Sequence, residues 1–254
     1  LVERDLRPLA NAYTAALHAL RAHMVSQVEA SQGESTRMAH ASQQKAAVAI
    51  AAGYLAKEIV PVHILQKKGD AIVVSQDEHP RATTLEALSQ LKGVVHPNGS
   101  VTAGNASGVN DGSCALLLAN EEAALQYGLT PKARIIGMAV AGIAPRIMGM
   151  GPTPATRKVL EMTGLKLKQM DIIELNEAFA AQGLAVLRDL GLKDDDCRVN
   201  QWGGAIALGH PLGASGGRLV TTATNQLHTL GGRYALCTMC IGVGQGIALI
   251  IEKV

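Results

Sequence analysis

Gly203-Gly204-Ala205-Ile206-Ala207-Leu208-Gly209-His210-Pro211-Leu212-Gly213-Ala214-Ser215-Gly216-Gly217-Arg218 places a single imidazole among six glycines, with no other titratable side chain before Arg218. Glycine is favoured where backbone must come close to a ligand, because it carries no Cβ. Pro211 restricts the backbone on both sides of its bond to His210. The stretch therefore reads either as a positioned acid/base group or as a glycine-rich turn with a histidine in it. Gly204 to Gly209 has the glycine spacing of a phosphate-binding P-loop, but His210 and Pro211 stand where lysine and a hydroxyl residue are required, so nucleotide binding is set aside.

Working outward, the second half alternates strand and helix, the pattern of a layered α/β domain. Ala133 to Ala141 reads as a strand, and Pro154 to Thr163 as a helix stopped by Gly164. Asp171 to Leu175 is a short buried strand, and Asn176 opens a helix that runs to Leu190. After the histidine turn a helix is expected from about Gly217 to Leu230. A strand from Arg233 ends at Cys240, Ile241 to Gly246 turns, and Ile247 to Glu252 is the last strand. Asn176, His210 and Cys240 each follow a strand or introduce a helix, which is how a site is assembled from loops at one edge of a sheet. Asn176 could equally be an ordinary helix N-cap.

The first half is less regular. Leu1 to Val28 favours helix by composition, and the polar Ser31 to Arg37 interrupts it. A cleaner helix runs from Met38 to Gly53, with Ala41, Ala46, Ile50 and Ala51 as its apolar face. Ile59 to Ile64 and Ala71 to Val74 read as strands around a Lys67–Asp70 turn. Thr84 to Leu91 reads as a helix. Ser100 to Gly112 is dense in small hydroxyl and amide residues, either a solvated loop or the lining of a cleft. Cys114 to Ala119 reads as buried strand or helix, and Glu121 to Tyr127 as a helix stopped by Gly128.

Bulk composition narrows the classes. The 254 residues, 48% of them hydrophobic, can bury a sizeable core. A formal charge of +2 without long runs of either sign, and 2% aromatic residues, argue against nucleic acid as a partner. Four cysteines are too few for a disulfide scaffold, and no apolar run approaches the ~20 residues of a membrane span, so a soluble cytoplasmic protein is expected. Cys237-Thr-Met-Cys240 lacks the second ligand pair that a zinc site needs, and no metal is expected.

Chemically, Cys240 can act as an acid or base if its pKa suits the task, and the Gly242 N–H in the following turn can meet a developing oxyanion. Together with His210 and Asn176 this suggests acyl or carbon–carbon chemistry at a carbonyl.

N-E-A-F-A at Asn176 to Ala180, G-G-A-I-A-L-G-H-P-L-G-A-S-G at Gly203 to Gly216, C-I-G-V-G-Q-G at Cys240 to Gly246 and T-A-G-N-A-S-G-V-N-D-G at Thr102 to Gly112 resemble the thiolase family in motif, order and separation. The resemblance runs from about Met38 to Val254 and implies an α/β, thiolase-like layered fold, a mixed sheet with helices. Residues 131–254 would form the C-terminal domain, 108–130 the end of the N-terminal domain and 38–107 a remnant of the CoA-binding loop domain; 1–37 match no part of the pattern. C-T-M-C-I-G-V-G-Q-G and A-G-N-A-S-G-V-N-D-G look most like the members that cleave 3-oxoadipyl-CoA, with CoA, to succinyl-CoA and acetyl-CoA in aromatic-compound breakdown.

Residue by residue, the resemblance implies that His210 activates a nucleophilic cysteine and, with a water held by Asn176, forms one oxyanion hole. Cys240 would move the proton at the acetyl α-carbon, the Gly242 N–H would belong to a second oxyanion hole, Ser107 would touch the pantetheine arm of CoA, and Ala178 and Phe179 would line the cleft. CoA enters as substrate with no further cofactor, and family members are commonly dimers or tetramers. The family's nucleophile sits upstream of the CoA loop. Cys114 and Cys197 lie outside its motif, and Cys237 is expected to face the core. No such nucleophile segment is read before Met38, so the chain is expected to lack the nucleophile domain, which leaves an inactive fragment or a CoA- or partner-binding module as alternatives to an active acyltransferase.

Overall fold

In the computed structural model, residues 31–96 and 99–254 are described. The helix expected over Leu1 to Val28 lies outside them.

The centre is a four-stranded mixed sheet in the order β3-β6-β5-β4, built from β3 (Ala133–Gly142), β4 (Ile172–Leu175), β5 (Tyr234–Ile241) and β6 (Gln245–Lys253). β4 runs parallel to β5, and the other pairs are antiparallel. Side chains alternate across a strand, so the sequence Ile-Ile-Glu-Leu of β4 divides two and two. Ile173 and Leu175 pack with Leu236 and Ile250 against α4 (Pro152–Thr163) and α5 (Ala180–Asp189). Ile172 packs with Ala235, Cys237 and Ile251 against Leu219, Ala223 and Leu227 of α7 (Ser215–Leu230). All four β4 residues are therefore buried, and Glu174 is buried on the α7 side. Covering both faces of the parallel pair makes the α/β layering expected from the alternation.

Before the sheet come α1, helical over 31–51, the hairpin of β1 (Val62–Ile64) and β2 (Ile72–Val74), α2 (Leu85–Ser89) capped by Thr84, and α3 (Glu121–Gln126) capped by Asn120. Between α5 and α7 a short α6 (Ala205–Leu208) precedes the histidine turn.

Four expectations need correction. Ser31 to Arg37 is itself helical and opens the described part of α1, which the sequence reading begins only at Met38: Thr36 Oγ1 donates to Gln32 O at 2.9 Å, and Glu34 pairs with Arg188 of α5 at 2.9 Å. The buried face of α1 is Ala39, Ser42, Gln43, Ala46 and Ala49, at three- and four-residue spacing, while Ile50 and Ala51 are exposed. At Ala46 only a small side chain fits, because Gly203 presses against it. Cys114 to Ala119 is neither buried nor paired in a sheet or helix; Leu117 and Leu118 are 79% and 72% exposed, since among the described residues no sheet or helix face covers them. Finally, Asn176 does not open a helix. Residues 176–179 remain extended and irregular and α5 begins at Ala180, because the chain is held by bonds to the neighbouring strand and to the Asn105–Ser107 loop.

Candidate active site

The small-residue loop after Ser100 is cross-linked rather than solvated. Asn105 braces it internally, accepting from Thr102 N at 2.8 Å and donating to Ser100 O at 2.8 Å. Asn105 O then accepts from Ala180 N at 2.8 Å. Ser107 donates to Ala178 O twice, from N at 3.0 Å and from Oγ at 3.3 Å. Ser107 is thereby fixed beside Ala178, which is buried, and Phe179, which is partly exposed. Three residues further, Asn110 Oδ1 accepts from His210 N at 3.0 Å. Gly209, with φ +92°, could not carry a side chain there, because a Cβ would run into the Asn110 amide. Two of the motifs recognised in the sequence thus meet at His210.

His210 is 8% exposed and held at three atoms. Its Nδ1 lies 2.6 Å from Ser215 Oγ, and Ser215 Oγ donates its one proton to Pro211 O at 2.9 Å. Ser215 must then accept, so the network assigns the proton to Nδ1 and leaves Nε2 with a lone pair. Nε2 faces Asn176 Nδ2 at 3.4 Å. Burial, and then the charge of Arg218, hold the imidazole below its ordinary pKa, so a neutral ring with a bare Nε2 is the form present near pH 7. Asn176 is fully buried, its N donates to Thr238 O at 3.0 Å, and its Oδ1 has no partner.

Cys240 arrives from the adjacent strand. Leu175 is in register with Thr238 in the parallel pair, so Asn176 and Cys240 emerge at the carboxyl ends of neighbouring strands. The thiol is 5% exposed, and burial pushes its pKa up, which keeps it protonated and able to donate. Gly242 opens the turn joining β5 to β6, with its backbone exposed. Cys237 faces the opposite side of the same strand, buried against Leu219 O at 3.6 Å. Cys114 is exposed beside Thr221, and Cys197 is also exposed. Among the described residues none of these three hydrogen-bonds to His210 or Asn176.

Beneath the site lies Glu177, 3% exposed. It accepts from Ser42 Oγ of α1 at 2.7 Å, from Asn200 Nδ2 at 2.8 Å and from Ile206 N of α6 at 3.2 Å. Gly204 sits against this carboxylate so closely that any Cβ would collide with it. A cleft of about 310 Å³ opens between α1 and α5 on the far side of Glu177, and His210, Asn176 and Cys240 do not line it. Ser215, Glu177 and Asn110 were within the motifs read from the sequence but carried no assigned role. Their signal was proximity: Ser215 lies five residues after His210, and Glu177 is next to Asn176.

The assembly offers a base at Nε2, an amide beside it, a protonated thiol and an exposed turn backbone. That set suits proton transfer next to a carbonyl.

Comparison with known proteins agrees with this chemistry. The family model for the thiolase C-terminal domain matches residues 129–253, and that for the thiolase N-terminal domain matches residues 2–122, a span that takes in nearly all of the opening segment. Over 222 residues the chain is 66% identical to a beta-ketoadipyl-CoA thiolase of Acinetobacter baylyi, covering 87% of this chain and 55% of that one. Over 214 residues it is 62% identical to the 3-oxoadipyl-CoA/3-oxo-5,6-dehydrosuberyl-CoA thiolase of Escherichia coli, covering 84% and 53%. Among solved structures, the acetyl-CoA acetyltransferase of Bacillus anthracis superposes with a TM-score of 0.85 at 45% identity, covering 91% of this chain and 58% of that one. The chain spans about half the length of the curated relatives it matches.

Proposed function

The chain belongs to the thiolase family, and from that premise we propose that it carries the acid/base half of an acyltransferase that cleaves 3-oxoadipyl-CoA with CoA to succinyl-CoA and acetyl-CoA. The observation that carries this reading is the convergence of Asn176, His210 and Cys240, with the bare Nε2 of His210 against Asn176 at 3.4 Å. Identity above 60% to relatives named for that substrate supports the choice of acyl group.

In this reading the bond between the α-carbon and the 3-carbonyl carbon breaks after a thiolate attacks that carbonyl. His210 Nε2 takes the proton from the attacking thiol. The electron pair of the broken bond passes to the acetyl unit, whose α-carbon takes the proton of Cys240. A CoA thiol then gives its proton to the Cys240 thiolate and attacks the succinyl thioester, and the released enzyme thiolate takes back the proton held by His210. Cys240 cannot both hold the acyl group and give the proton, so two separately tuned thiols are needed. We assign the acyl-carrying thiol to the portion of the relatives' length that this chain does not span.

His210, once protonated at Nε2, with a water held by Asn176 forms one oxyanion hole, and the Gly242 N–H belongs to the second. Ser107, Ala178 and Phe179 border the pantetheine channel, with the 38–107 region as the CoA-binding part, 108–130 closing the N-terminal domain and 131–254 as the C-terminal domain. CoA serves as substrate with no resident cofactor, in a cytoplasmic homo-oligomer active in aromatic catabolism. No helix among the described residues is long and apolar enough to cross a membrane. Thiolysis of 3-oxoadipyl-CoA by the full-length gene product, followed by product chromatography, tests the reading. Turnover abolished by Cys240→Ala is expected, and unchanged turnover in that variant rejects the assignment.

A further inference from the structure

A closed circuit of bonds runs through the site. Glu174 and Asn176 lie two residues apart at the end of β4, and Ser215 and Arg218 lie three apart in the first turn of α7. The upper rung joins Asn176 to Ser215 through the His210 ring, at 3.4 Å and 2.6 Å. The lower rung joins Glu174 Oε2 to Arg218 Nη1 at 3.2 Å. Spacing of two on a strand and three on a helix puts each pair on one face, so the rungs lie one above the other between the same two elements.

The lower rung is built for location rather than for stability. Glu174 is fully buried in the middle of an otherwise apolar strand, and Gln226 Nε2 of α7 holds its other oxygen at 3.1 Å. Yet Arg218 Nη2 and Gln226 Oε1 are both buried without partners. A buried ion pair repays its desolvation only when geometry and hydrogen bonding are complete, and apolar residues of similar volume commonly serve stability as well or better. What apolar residues cannot supply is a fixed register between α7 and β4. From α7 the bracing continues outward, because Thr222 and Asn225 donate to Glu58 at 2.7 Å and 3.2 Å.

We propose that Arg218 and Glu174 are positioning residues, a buried strut between α7 and β4 that sets where Ser215 and Asn176 meet the two nitrogens of His210. The inference rests on the catalytic assignment of His210 for its meaning, though not for its test. Sliding α7 by a fraction of an ångström would break one nitrogen's contact before the other and free the ring to exchange tautomers. Arg218 adds a second consequence, since its charge disfavours a protonated His210. The groups facing Glu174 are Arg218 and Gln226 on α7 and Cys237 on β5, with Glu58 and Glu177 contributing charge from the surrounding segments and Asp77 acting on Arg218 and Glu58.

The test reads the imidazole directly in the purified chain, by nitrogen-15 NMR of labelled histidine at pH 8 without substrate. The wild type is expected to show His210 protonated at Nδ1 and bare at Nε2. Glu174→Gln and Arg218→Met are expected to lower the ratio of that tautomer to the other about tenfold, with Arg218→Lys restoring most of it. The paired change Glu174→Leu with Arg218→Met leaves no unpaired buried charge; it should fold and still show the mixed tautomer. A folded variant of either kind with the wild-type His210 spectrum overturns the proposal. Unfolding of all the strut variants overturns it as well, because the pair would then hold the domain rather than the imidazole. A chain that fails to cleave 3-oxoadipyl-CoA leaves these spectra interpretable, so the two readings fail separately.

Discussion

Ser215 Oγ lies 2.6 Å from His210 Nδ1 and spends its own proton on Pro211 O, which makes the serine an acceptor and fixes the ring's tautomer. Ser215→Ala removes that acceptor while leaving the helix turn intact. A lost hydrogen bond to a buried ring is worth about 1–2 kcal/mol, roughly tenfold in the ratio of the reactive tautomer to the other. A drop in kcat of up to about tenfold with KM within about twofold is expected in the full-length enzyme. A KM effect alone would show that Ser215 acts on binding.

Gly204 is predicted to be the least replaceable glycine of the motif. Its Cα faces the Glu177 carboxylate, which already accepts from three elements, so a methyl group must displace a buried charge from its donors. Overpacking costs about 1–3 kcal/mol and an unpaired buried donor adds about as much again. Gly204→Ala should lower the free energy of unfolding by that amount, whereas Gly213→Ala, with open space around it, should change it little. Equal effects at the two positions would show that Glu177 can move aside.

The sequence pattern disclosed the sheet and the site more readily than the first half of the fold. Strands β3 to β6 were readable because their apolar runs are bounded by glycine turns, and Asn176, His210 and Cys240 because each stands at a strand or helix junction among small residues. The opening of α1 was not readable: Ser31 to Arg37 is polar locally, yet Ser35 and Thr36 are buried and Glu34 pairs with Arg188, more than 150 residues away. Cys114 to Ala119 failed for the opposite reason, since an apolar run announces that it needs cover without saying what covers it. Glu174 and Glu177 looked alike in sequence, two carboxylates at a strand end. Only the placement of α7 and α6 separates the strut from the brace.

Glu174 should impose a measurable pH slope on stability. Burial, only partly offset by Arg218, raises its carboxyl from the ordinary 4.5 to about 7. The folded state therefore holds the proton more tightly than the unfolded state between those values, and the contribution present below pH 4.5 is lost as pH rises to 7. That loss amounts to something on the order of 3 kcal/mol as an upper bound. His210, held below its ordinary pKa, slopes the other way in wild type and variant alike. Relative to wild type, Glu174→Gln should gain stability between pH 5 and pH 8, read from guanidinium midpoints at both. A difference independent of pH would show that the carboxyl titrates normally.

Cys240 and Cys114 provide an internal comparison of thiol chemistry. Cys114 is exposed beside Thr221 Oγ1 at 3.4 Å, while Cys240 is buried at the end of β5 with its pKa pushed up. The thiolate is the species that alkylates, and each unit of added pKa removes about tenfold of it below that pKa. Iodoacetamide at pH 8 should label Cys240 at least about tenfold more slowly than Cys114, measured by peptide mass spectrometry. Its rate should climb nearly tenfold from pH 8 to pH 9, because a raised pKa is not yet reached, whereas an ordinary thiol near 8.5 would already be levelling off. A fast reaction whose rate stays flat from pH 7 to pH 9 would mean a thiolate at neutral pH. Such a group could attack a carbonyl but could not deliver a proton to the acetyl α-carbon, and the acid role assigned to it would have to be withdrawn.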